Sequence, residues 1–267
     1  MFLSQKKIAH LGRYLSFLVN SVSKYGLHSP AIYDLIAKEL KSDIDKNTLE
    51  YFLNNRNELI NNRRVVEVSH FKNIKNRVTY SIEMNRIGRL ARKTSLHKKD
   101  GELLYRLVKR FKPAHIIELG TGFGLSTLYM AKANPEAKIY SLEGCANKAE
   151  VATSLFRRNE LDNISLLTGI FDKLLQPLVD SIPAIDFAFI DGDHTAKGIL
   201  NYLSVILPKC TEKTILVFHD IHWSSDMESG WKEIISNPAI TVSVDFFFMG
   251  IVFFDKKLSK QNFSIRM

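Results

Sequence analysis

Cysteine is scarce in this sequence of 267 residues, in which Cys145 and Cys210 are the two examples. Two isolated cysteines provide no disulfide framework, and they do not form a CxxC pair. This cysteine usage is typical of proteins from reducing compartments. We therefore predict a cytoplasmic location.

Long apolar runs are also missing. The most apolar stretch near the start, residues 14–20, is flanked by Arg13 and Lys24 and is far shorter than the roughly 20 residues that a membrane span requires. His10, Gly12 and Arg13 interrupt the region where a secretory leader would need an unbroken apolar core. The sequence predicts neither a membrane span nor a secretory signal.

Acidic residues are few in the first part of the chain, so the net charge of +9 is unevenly distributed. Residues 1–112 contain 23 Lys and Arg against 10 Asp and Glu, whereas residues 113–267 contain 14 against 18. A basic front could attract nucleic acid, anionic lipid or an acidic partner. The positive residues are scattered among apolar positions, however, so the sequence favours a solvated basic face.

What the sequence does contain, from residue 113 onward, is an alternation of short β-rich runs with helix-length amphipathic segments. This pattern predicts an α/β fold with a mostly parallel, Rossmann-like sheet. The last two β-rich runs are separated by three residues only, so they predict an antiparallel terminal hairpin. The seven predicted strands span residues 115–119, 138–142, 164–168, 185–190, 214–218, 240–247 and 251–254.

Apolar positions before residue 113 recur instead at helical spacing, with no convincing strand pattern. We predict a basic helical extension over residues 1–97 and the α/β domain over residues 98–267, with a polar loop around residues 61–76. Ser29 and Pro30 form a helix start in which serine is the N-cap and proline the first helical residue.

The most informative segment is the first α/β turn, where a buried strand runs into Gly120, Gly122 and Gly124 before a helix. Glycines let a backbone approach a ligand closely, and a helix start presents free N–H groups. The spacing G-x-G-x-G differs from the dinucleotide pattern G-x-G-x-x-G, so it disfavours NAD. Glu118 precedes the turn, where the ammonium of an S-adenosylmethionine would balance its charge. Glu143, at the end of the next strand, is placed to accept ribose hydroxyls.

Polar residues also follow the fourth and fifth predicted strands. Asp191, His219 and Asp220 offer oxygen and imidazole ligands for one divalent ion such as Mg²⁺ or Mn²⁺. Such an ion would lower the pKa of a substrate hydroxyl. In the alternative without metal, Asp193 or His194 is the general base. In a purely structural alternative, Asp191 caps the following helix and His219 bonds a backbone carbonyl.

The segments IELGTGFGLSTLYMA, SLEG, DFAFIDGDH and VFHDIHW resemble class I S-adenosylmethionine-dependent methyltransferases of the O-methyltransferase branch, which includes catechol and caffeoyl-coenzyme A enzymes. The resemblance covers roughly residues 96–254 and implies S-adenosylmethionine as cofactor. It implies metal binding by Asp191, His219 and Asp220, and we predict catalytic roles for Asp191, His194 and Asp220. It also implies that Glu118, Gly120 and Ser126 contact the methionine part, Glu143 the ribose and Asp193 the cofactor region. The predicted cofactor-binding residues are Glu118, Gly120, Thr121, Gly122, Gly124, Ser126, Glu143, Gly144 and Asp193.

The sequence departs from this family at two positions. The family more often has Asp-Asn or Asp-Asp where His219 and Asp220 stand, which weakens the inference of Mg²⁺. Ile170 replaces an acid that commonly approaches the adenine, so packing is expected to hold the adenine here. The front of the chain resembles an extension found on bacterial members.

We predict O-methylation of a small-molecule hydroxyl, with possible metal assistance left open. The alternatives are a nucleic-acid methyltransferase or nucleic-acid-binding protein that uses the basic front half, and a non-catalytic cofactor-binding protein. Nothing in the sequence identifies the methyl acceptor, because acceptor pockets in this fold are built from variable loops. The oligomeric state is equally undetermined, and a homodimer is compatible with the sequence.

Overall fold

The computed structural model describes residues 5–23, 30–34, 42–74 and 77–266. The chain forms two compact units, a central unit of residues 39–180 and a terminal unit of residues 1–38 and 181–267. No helix within the described ranges is both long and apolar enough to cross a membrane. The predicted N-cap at Ser29 lies outside the described residues, although the helix that follows does begin at Pro30.

The described residues form helices and strands in alternation along most of the chain. The helices are α1 (Gln5–Asn20), α2 (Pro30–Asp34), α3 (Lys46–Asn61), α4 (Ile87–Thr94), α5 (Lys98–Phe111), α6 (Leu125–Ala133), α7 (Ala146–Arg158), α8 (Phe171–Ser181), α9 (Ala196–Ile206) and α10 (Ser225–Ser236). The strands are β1 (Val65–Ile74), β2 (Arg77–Arg86), β3 (His115–Leu119), β4 (Lys138–Glu143), β5 (Ile164–Thr168), β6 (Ile185–Ile190), β7 (Cys210–His219), β8 (Val242–Asp245), β9 (Met249–Phe253) and β10 (Gln261–Ser264).

In the central unit, β4 pairs in parallel with both β3 and β5. Helices α6 and α7 provide the crossovers, as expected for parallel strands. The buried core includes side chains from α3, α4, β1, α6 and α7, among them Phe52, Val68 and Phe156. The rings of Phe52 and Tyr129 lie 3.9 Å apart between centroids. The helices that precede β3 are therefore part of the same core as the first strands of the sheet.

In the terminal unit, β6 and β7 are parallel, β7 and β8 are each antiparallel to β9, and β10 is parallel to β8. The predicted α/β class, the mostly parallel sheet and the antiparallel hairpin are confirmed. The prediction of seven strands omitted β10, whose short, mainly polar sequence Gln-Asn-Phe-Ser carries little strand signal. Beside it, Val22 forms a parallel bridge with Ile265.

The prediction that no strand precedes residue 113 was wrong, since β1, in the region interpreted as a polar loop, and β2, directly after that region, form a long antiparallel hairpin. Apolar residues do recur at every second position in both strands. On β1, Val66 and Val68 are buried, and on β2, Tyr80, Ile82 and Met84 are exposed. Because apolar residues lie on both faces of this hairpin, its period of two is hard to recognise in the sequence. The division at residue 97 into an extension and a domain stays a prediction.

Candidate functional site

The turn between β3 and α6 depends on its three glycines. Gly120, Gly122 and Gly124 have φ values of 103°, 56° and 88°, in the left-handed region that disfavours side chains. A Cβ on Gly124 would also lie 2.7 Å from the ring of Phe156, whereas a Cβ on Gly122 would meet no atom within 4 Å. The turn is thus packed tightly on α7 at its end and open at its middle, where a ligand can approach.

Glu118, near the end of β3, is fully buried. Its Oε2 accepts hydrogen bonds of 2.5 Å from the hydroxyls of Thr127 and Ser141. The hydroxyl of Ser141 also lies 2.5 Å from that of Thr121. Hydroxyl donors of this kind compensate part of the cost of burying a carboxylate. Ser126, predicted as a cofactor contact, is buried in the first turn of α6.

Thr127 and Ser141 were missed by the sequence analysis. Ser141 is the direct register partner of Glu118 on β4, so a correct pairing of the two predicted strands would have identified it. Thr127 lies in the first turn of α6, and its contact with Glu118 spans nine positions of sequence. The sequence alone does not show that a threonine in the first turn of α6 contacts Glu118, because this contact depends on the conformation of the preceding glycine turn.

Glu143, the last residue of β4, is held by backbone donors on both sides. Its Oε2 accepts from the N–H of Gly122 at 2.7 Å and its Oε1 accepts from the N–H of Cys145 at 2.9 Å. Gly120 and Thr121 donate to the carbonyl of Leu142. Because a carboxylate oxygen can accept more than one hydrogen bond, Glu143 retains capacity for further donors. The structure thus brings together the predicted residues of the glycine turn and the β4 end, where Gly144 follows.

In the terminal unit, the structure gathers Asp191, His219 and Asp220, each with a potential ligand atom within 4.8 Å of the others. Nδ1 of His219 lies 3.0 Å from Oδ1 of Asp191 and 3.7 Å from Oδ2 of Asp220. Asp220 has a φ of 56°, and its N–H donates to the carbonyl of Phe248 at 2.6 Å. Two carboxylates and an imidazole of this arrangement form a donor set suited to a divalent ion such as Mn²⁺.

The helix that follows β6 is capped by Thr195, whose hydroxyl accepts from the N–H of Gly198. This finding argues against the alternative in which Asp191 is the cap. The carboxylate of Asp193 accepts from the Thr195 hydroxyl at 3.1 Å and lies close against Gly198. His194 is 39% exposed, with Nε2 at 4.0 Å from Oδ1 of Asp191. His194 therefore adjoins the Asp191 cluster, and Asp193 lies at the start of α9.

A second histidine network, centred on His222, was not anticipated from the sequence. Nδ1 of His222 lies 2.7 Å from Glu228 and Nε2 lies 2.8 Å from Asp245. Its ring stacks on Phe247 at 4.9 Å between centroids. Burial lowers the pKa of His222, but the hydrogen bonds and charges of Asp245 and Glu228 outweigh burial, so the pKa is raised overall. His222 therefore links α10, through Glu228, to β8, through Asp245.

Comparisons with known proteins show which family part of this chain resembles. Residues 117–221 match the family described as "Methyltransferase domain". The Mycobacterium tuberculosis protein named "Probable O-methyltransferase Rv1703c" is 33% identical over 116 residues, which cover 41% of this chain and 49% of that protein. The chain thus spans about half the length of this relative.

Solved structures share the fold at lower identity. The O-methyltransferase from Bacillus cereus in complex with SAH has a TM-score of 0.54 at 18% identity, over 82% of this chain and 96% of that one. The SAH-bound methyltransferase PaMTH1 of Podospora anserina has a TM-score of 0.56 at 14% identity, over 95% and 97% of the two chains. The resemblance inferred from the motifs is confirmed: residues 117–221 match the methyltransferase domain family, the sequence is similar to that of an O-methyltransferase, and the fold is shared with solved methyltransferase structures.

Proposed function

We propose that this chain is an S-adenosylmethionine-dependent methyltransferase that methylates a hydroxyl of a small molecule. The observation that carries the proposal is the pair of buried carboxylates, Glu118 and Glu143, at the ends of the paired strands β3 and β4. One carboxylate suits the cationic amino-acid part of the cofactor and the other suits its ribose hydroxyls. The similarity to named O-methyltransferases and the SAH-bound relatives support the same conclusion.

The glycine turn between β3 and α6 would form the binding site for the nucleoside part of this cofactor. Gly122 combines a left-handed backbone with open space beside its Cα, so a nucleoside can lie directly against the chain. The Gly122 N–H orients Glu143, which would then accept hydrogen bonds from the ribose. S-adenosylmethionine, when bound, supplies a sulfonium methyl group, whose carbon–sulfur bond breaks as the new carbon–oxygen bond forms. No protein nucleophile is needed for this displacement.

The acceptor hydroxyl must lose its proton during the transfer, and two sets of residues in the terminal unit are suited to this task. The first is the triad of Asp191, His219 and Asp220, which would hold a divalent ion through two carboxylate oxygens and one imidazole nitrogen. A divalent ion bound there would lower the pKa of a coordinated hydroxyl. In this version Nδ1 of His219, which lies 3.0 Å from Oδ1 of Asp191, would carry no proton, and both atoms would face the ion.

The second version needs no metal. His194 would take the proton at a ring nitrogen, and Asp191, with Oδ1 at 4.0 Å from Nε2, would stabilise the resulting imidazolium. His194 is the more exposed histidine of the two that contact Asp191, so it is the one that a substrate hydroxyl reaches more easily. The distances therefore support both versions. The two versions differ in whether they require a metal.

Methyl transfer from isotopically labelled S-adenosylmethionine to a panel of catechols tests the proposal and separates the versions. The metal version predicts loss of transfer after EDTA treatment, recovery with Mn²⁺ or Mg²⁺, loss in Asp220→Asn and retention in His194→Gln. The version without metal predicts transfer that is insensitive to EDTA and lost in His194→Gln. Asp162→Asn, at an exposed acid of the central unit, is the control. Mn²⁺ binding to wild type and Asp220→Asn, measured by calorimetry, gives a readout independent of activity.

A non-catalytic cofactor-binding protein is the outcome if the cofactor binds and no acceptor is methylated. The comparisons do not favour a nucleic-acid methyltransferase. A cytoplasmic location remains part of the proposal and is supported by the two isolated cysteines.

A further inference from the structure

We propose that the hairpin of β1 and β2 and the arginines beside it form a binding surface for anionic lipid membranes. This surface belongs to the central unit and takes no part in the proposed catalytic chemistry. We call it the hairpin surface and define it by four apolar and four basic side chains: Val65, Tyr80, Ile82 and Met84, with Arg63, Arg86, Arg89 and Arg92.

The apolar half of the hairpin surface follows from the strand register. Tyr80, Ile82 and Met84 alternate along β2 and therefore point to one face, and Val65 shares that face because it pairs with Arg86. Their side chains are 69%, 53%, 65% and 49% exposed, respectively. The opposite face carries Val66 and Val68, which are buried in the core. A row of large apolar side chains left in solvent in this way marks an interaction site.

The basic half adjoins the apolar half directly. Arg63, Arg86, Arg89 and Arg92 line a cleft of about 710 Å³ together with Val65 and Met84. All four arginines are exposed. Residues 61–94, which contain the hairpin and α4, have nine Lys and Arg against Glu67 and Glu83. The register pairs Glu67 with Met84, so this one acid lies on the exposed face. The four positive charges of the hairpin surface thus exceed the negative charge of Glu67.

Close packing between α3 and α4 holds the arginines together. Gly88 donates to the carbonyl of Asn62, and a Cβ at this position would lie 2.2 Å from the carbonyl oxygen of Ile60. Arg92 also donates to the Ile60 carbonyl at 3.1 Å. The approach permitted by glycine brings Arg89 and Arg92, on α4, to the same cleft as Arg63 and Arg86.

The chemistry of this surface favours a lipid membrane over other anionic or apolar partners. Guanidinium groups bind phosphate oxygens in a bidentate manner, and apolar side chains enter the boundary between headgroups and acyl chains. Tyr80 is the one aromatic ring among the four apolar side chains, and the aliphatic Val65, Ile82 and Met84 offer nucleic-acid bases no stacking partner, whereas stacking is the usual apolar contribution to single-strand binding. A symmetric contact between two copies would bring the same arginines together, and their repulsion opposes it.

Cosedimentation of the full chain with vesicles tests the proposal. We expect binding to phosphatidylcholine vesicles containing about 30% phosphatidylglycerol and little binding to pure phosphatidylcholine. Binding should weaken strongly between about 0.1 M and about 1 M NaCl, because the screening length falls from ~10 to ~3 Å.

Two triple variants separate the contributions of charge and apolar contact. Arg63→Gln, Arg86→Gln and Arg89→Gln together should weaken binding by about a hundredfold. Tyr80→Thr, Ile82→Thr and Met84→Thr together should weaken it at least tenfold, with threonine chosen to keep the strand propensity. The matched control replaces Lys213, Lys256 and Lys257, exposed lysines of the terminal unit, by Gln and should bind as wild type does. Thermal melting of each variant establishes that it is folded.

Four outcomes would overturn the proposal. The first is absence of binding to anionic vesicles at low salt, and the second is equal binding by the control and both triple variants. The third is arginine-dependent binding of an oligonucleotide without vesicle binding. The fourth is a change from dimer to monomer in the threonine variant, measured by sedimentation velocity. The last two would assign the surface to nucleic acid and to a second copy of the chain, respectively.

Discussion

The backbone N–H of Gly122 donates to the carboxylate of Glu143 across 2.7 Å, so the glycine turn after β3 and the acid at the end of β4 form one hydrogen-bonded unit. The orientation of the carboxylate thus depends on the conformation of the turn. Each carboxylate oxygen already accepts one backbone hydrogen bond and can accept another. This arrangement prepares Glu143 for a ligand with two adjacent hydroxyls.

Replacement of Glu143 should weaken cofactor binding. Glu143→Gln keeps the size of the side chain but puts an amide NH₂ against one of the two backbone donors, and it removes the charge that strengthens hydrogen bonds to a diol. We expect the affinity for S-adenosylhomocysteine to fall by about tenfold or more. Calorimetry measures the effect, with Glu136→Gln, at an exposed glutamate, as the matched control. Equal affinities of the two variants would show that Glu143 does not contact the cofactor.

Gly88 and Gly12 form a pair of opposite predictions. Gly88→Ala would place a Cβ 2.2 Å from a backbone oxygen, so we expect it to lower the free energy of unfolding by about 1–3 kcal/mol. Gly12, within α1, has no atom within 4 Å of an added Cβ, and Gly12→Ala should raise stability by up to about 1 kcal/mol. Urea denaturation of both variants tests this contrast, and a neutral Gly88→Ala would contradict the packing described for α3 and α4.

His222 should make stability depend on pH. Its folded-state pKa is raised by Asp245 and Glu228 against the opposing effect of burial. A raised pKa means that the stabilisation is fully present below the unfolded value of about 6.5 and is lost as the pH rises through the folded value. The difference in unfolding free energy between wild type and His222→Gln should therefore be larger at acidic than at alkaline pH.

Glu228→Gln removes one of the groups that raise the pKa of His222. In this variant the loss of stabilisation should begin at lower pH than in wild type. A difference between wild type and His222→Gln that stays constant or grows with pH would mean that the histidine is not protonated between the two acids.

Cys210 should be unreactive in the folded protein. Burial raises the pKa of its thiol to about 12, with a smaller opposing effect from the hydrogen bond with Thr214. Because the thiolate is the reactive form, alkylation of Cys210 by iodoacetamide near pH 8 should be at least about a hundredfold slower than in the denatured chain. Mass spectrometry of modified peptides measures the rate. Rapid alkylation of Cys210 in the native protein would contradict this prediction.

The sequence was sufficient to predict those parts of the fold that depend on local periodicity. Strands β3, β5 and β6 begin and end where predicted, because each is a short apolar run between turn residues. The hairpin of β1 and β2 was missed because its apolar residues occupy both faces, and β10 because four mainly polar residues carry almost no signal. In both cases the pairing partner, which the sequence does not reveal, decides the conformation.

The candidate site shows the same distinction. Glu118, Glu143 and the glycines could be predicted because the two acids lie at strand ends and the glycines form the turn between a strand and a helix. The contact of Thr127 with Glu118 and the contact of Asp245 with His222 depend on how separate segments pack, the latter across 23 positions. Contacts of this kind become visible only when the structure is available.

The most direct test of the central claim is calorimetric titration of the wild-type protein with S-adenosylhomocysteine. We predict saturable binding of one molecule per chain, and no comparable heat from NAD. Absence of heat with both S-adenosylmethionine and S-adenosylhomocysteine, together with binding of the dinucleotide, would contradict the assignment of the glycine turn and its two carboxylates to this cofactor.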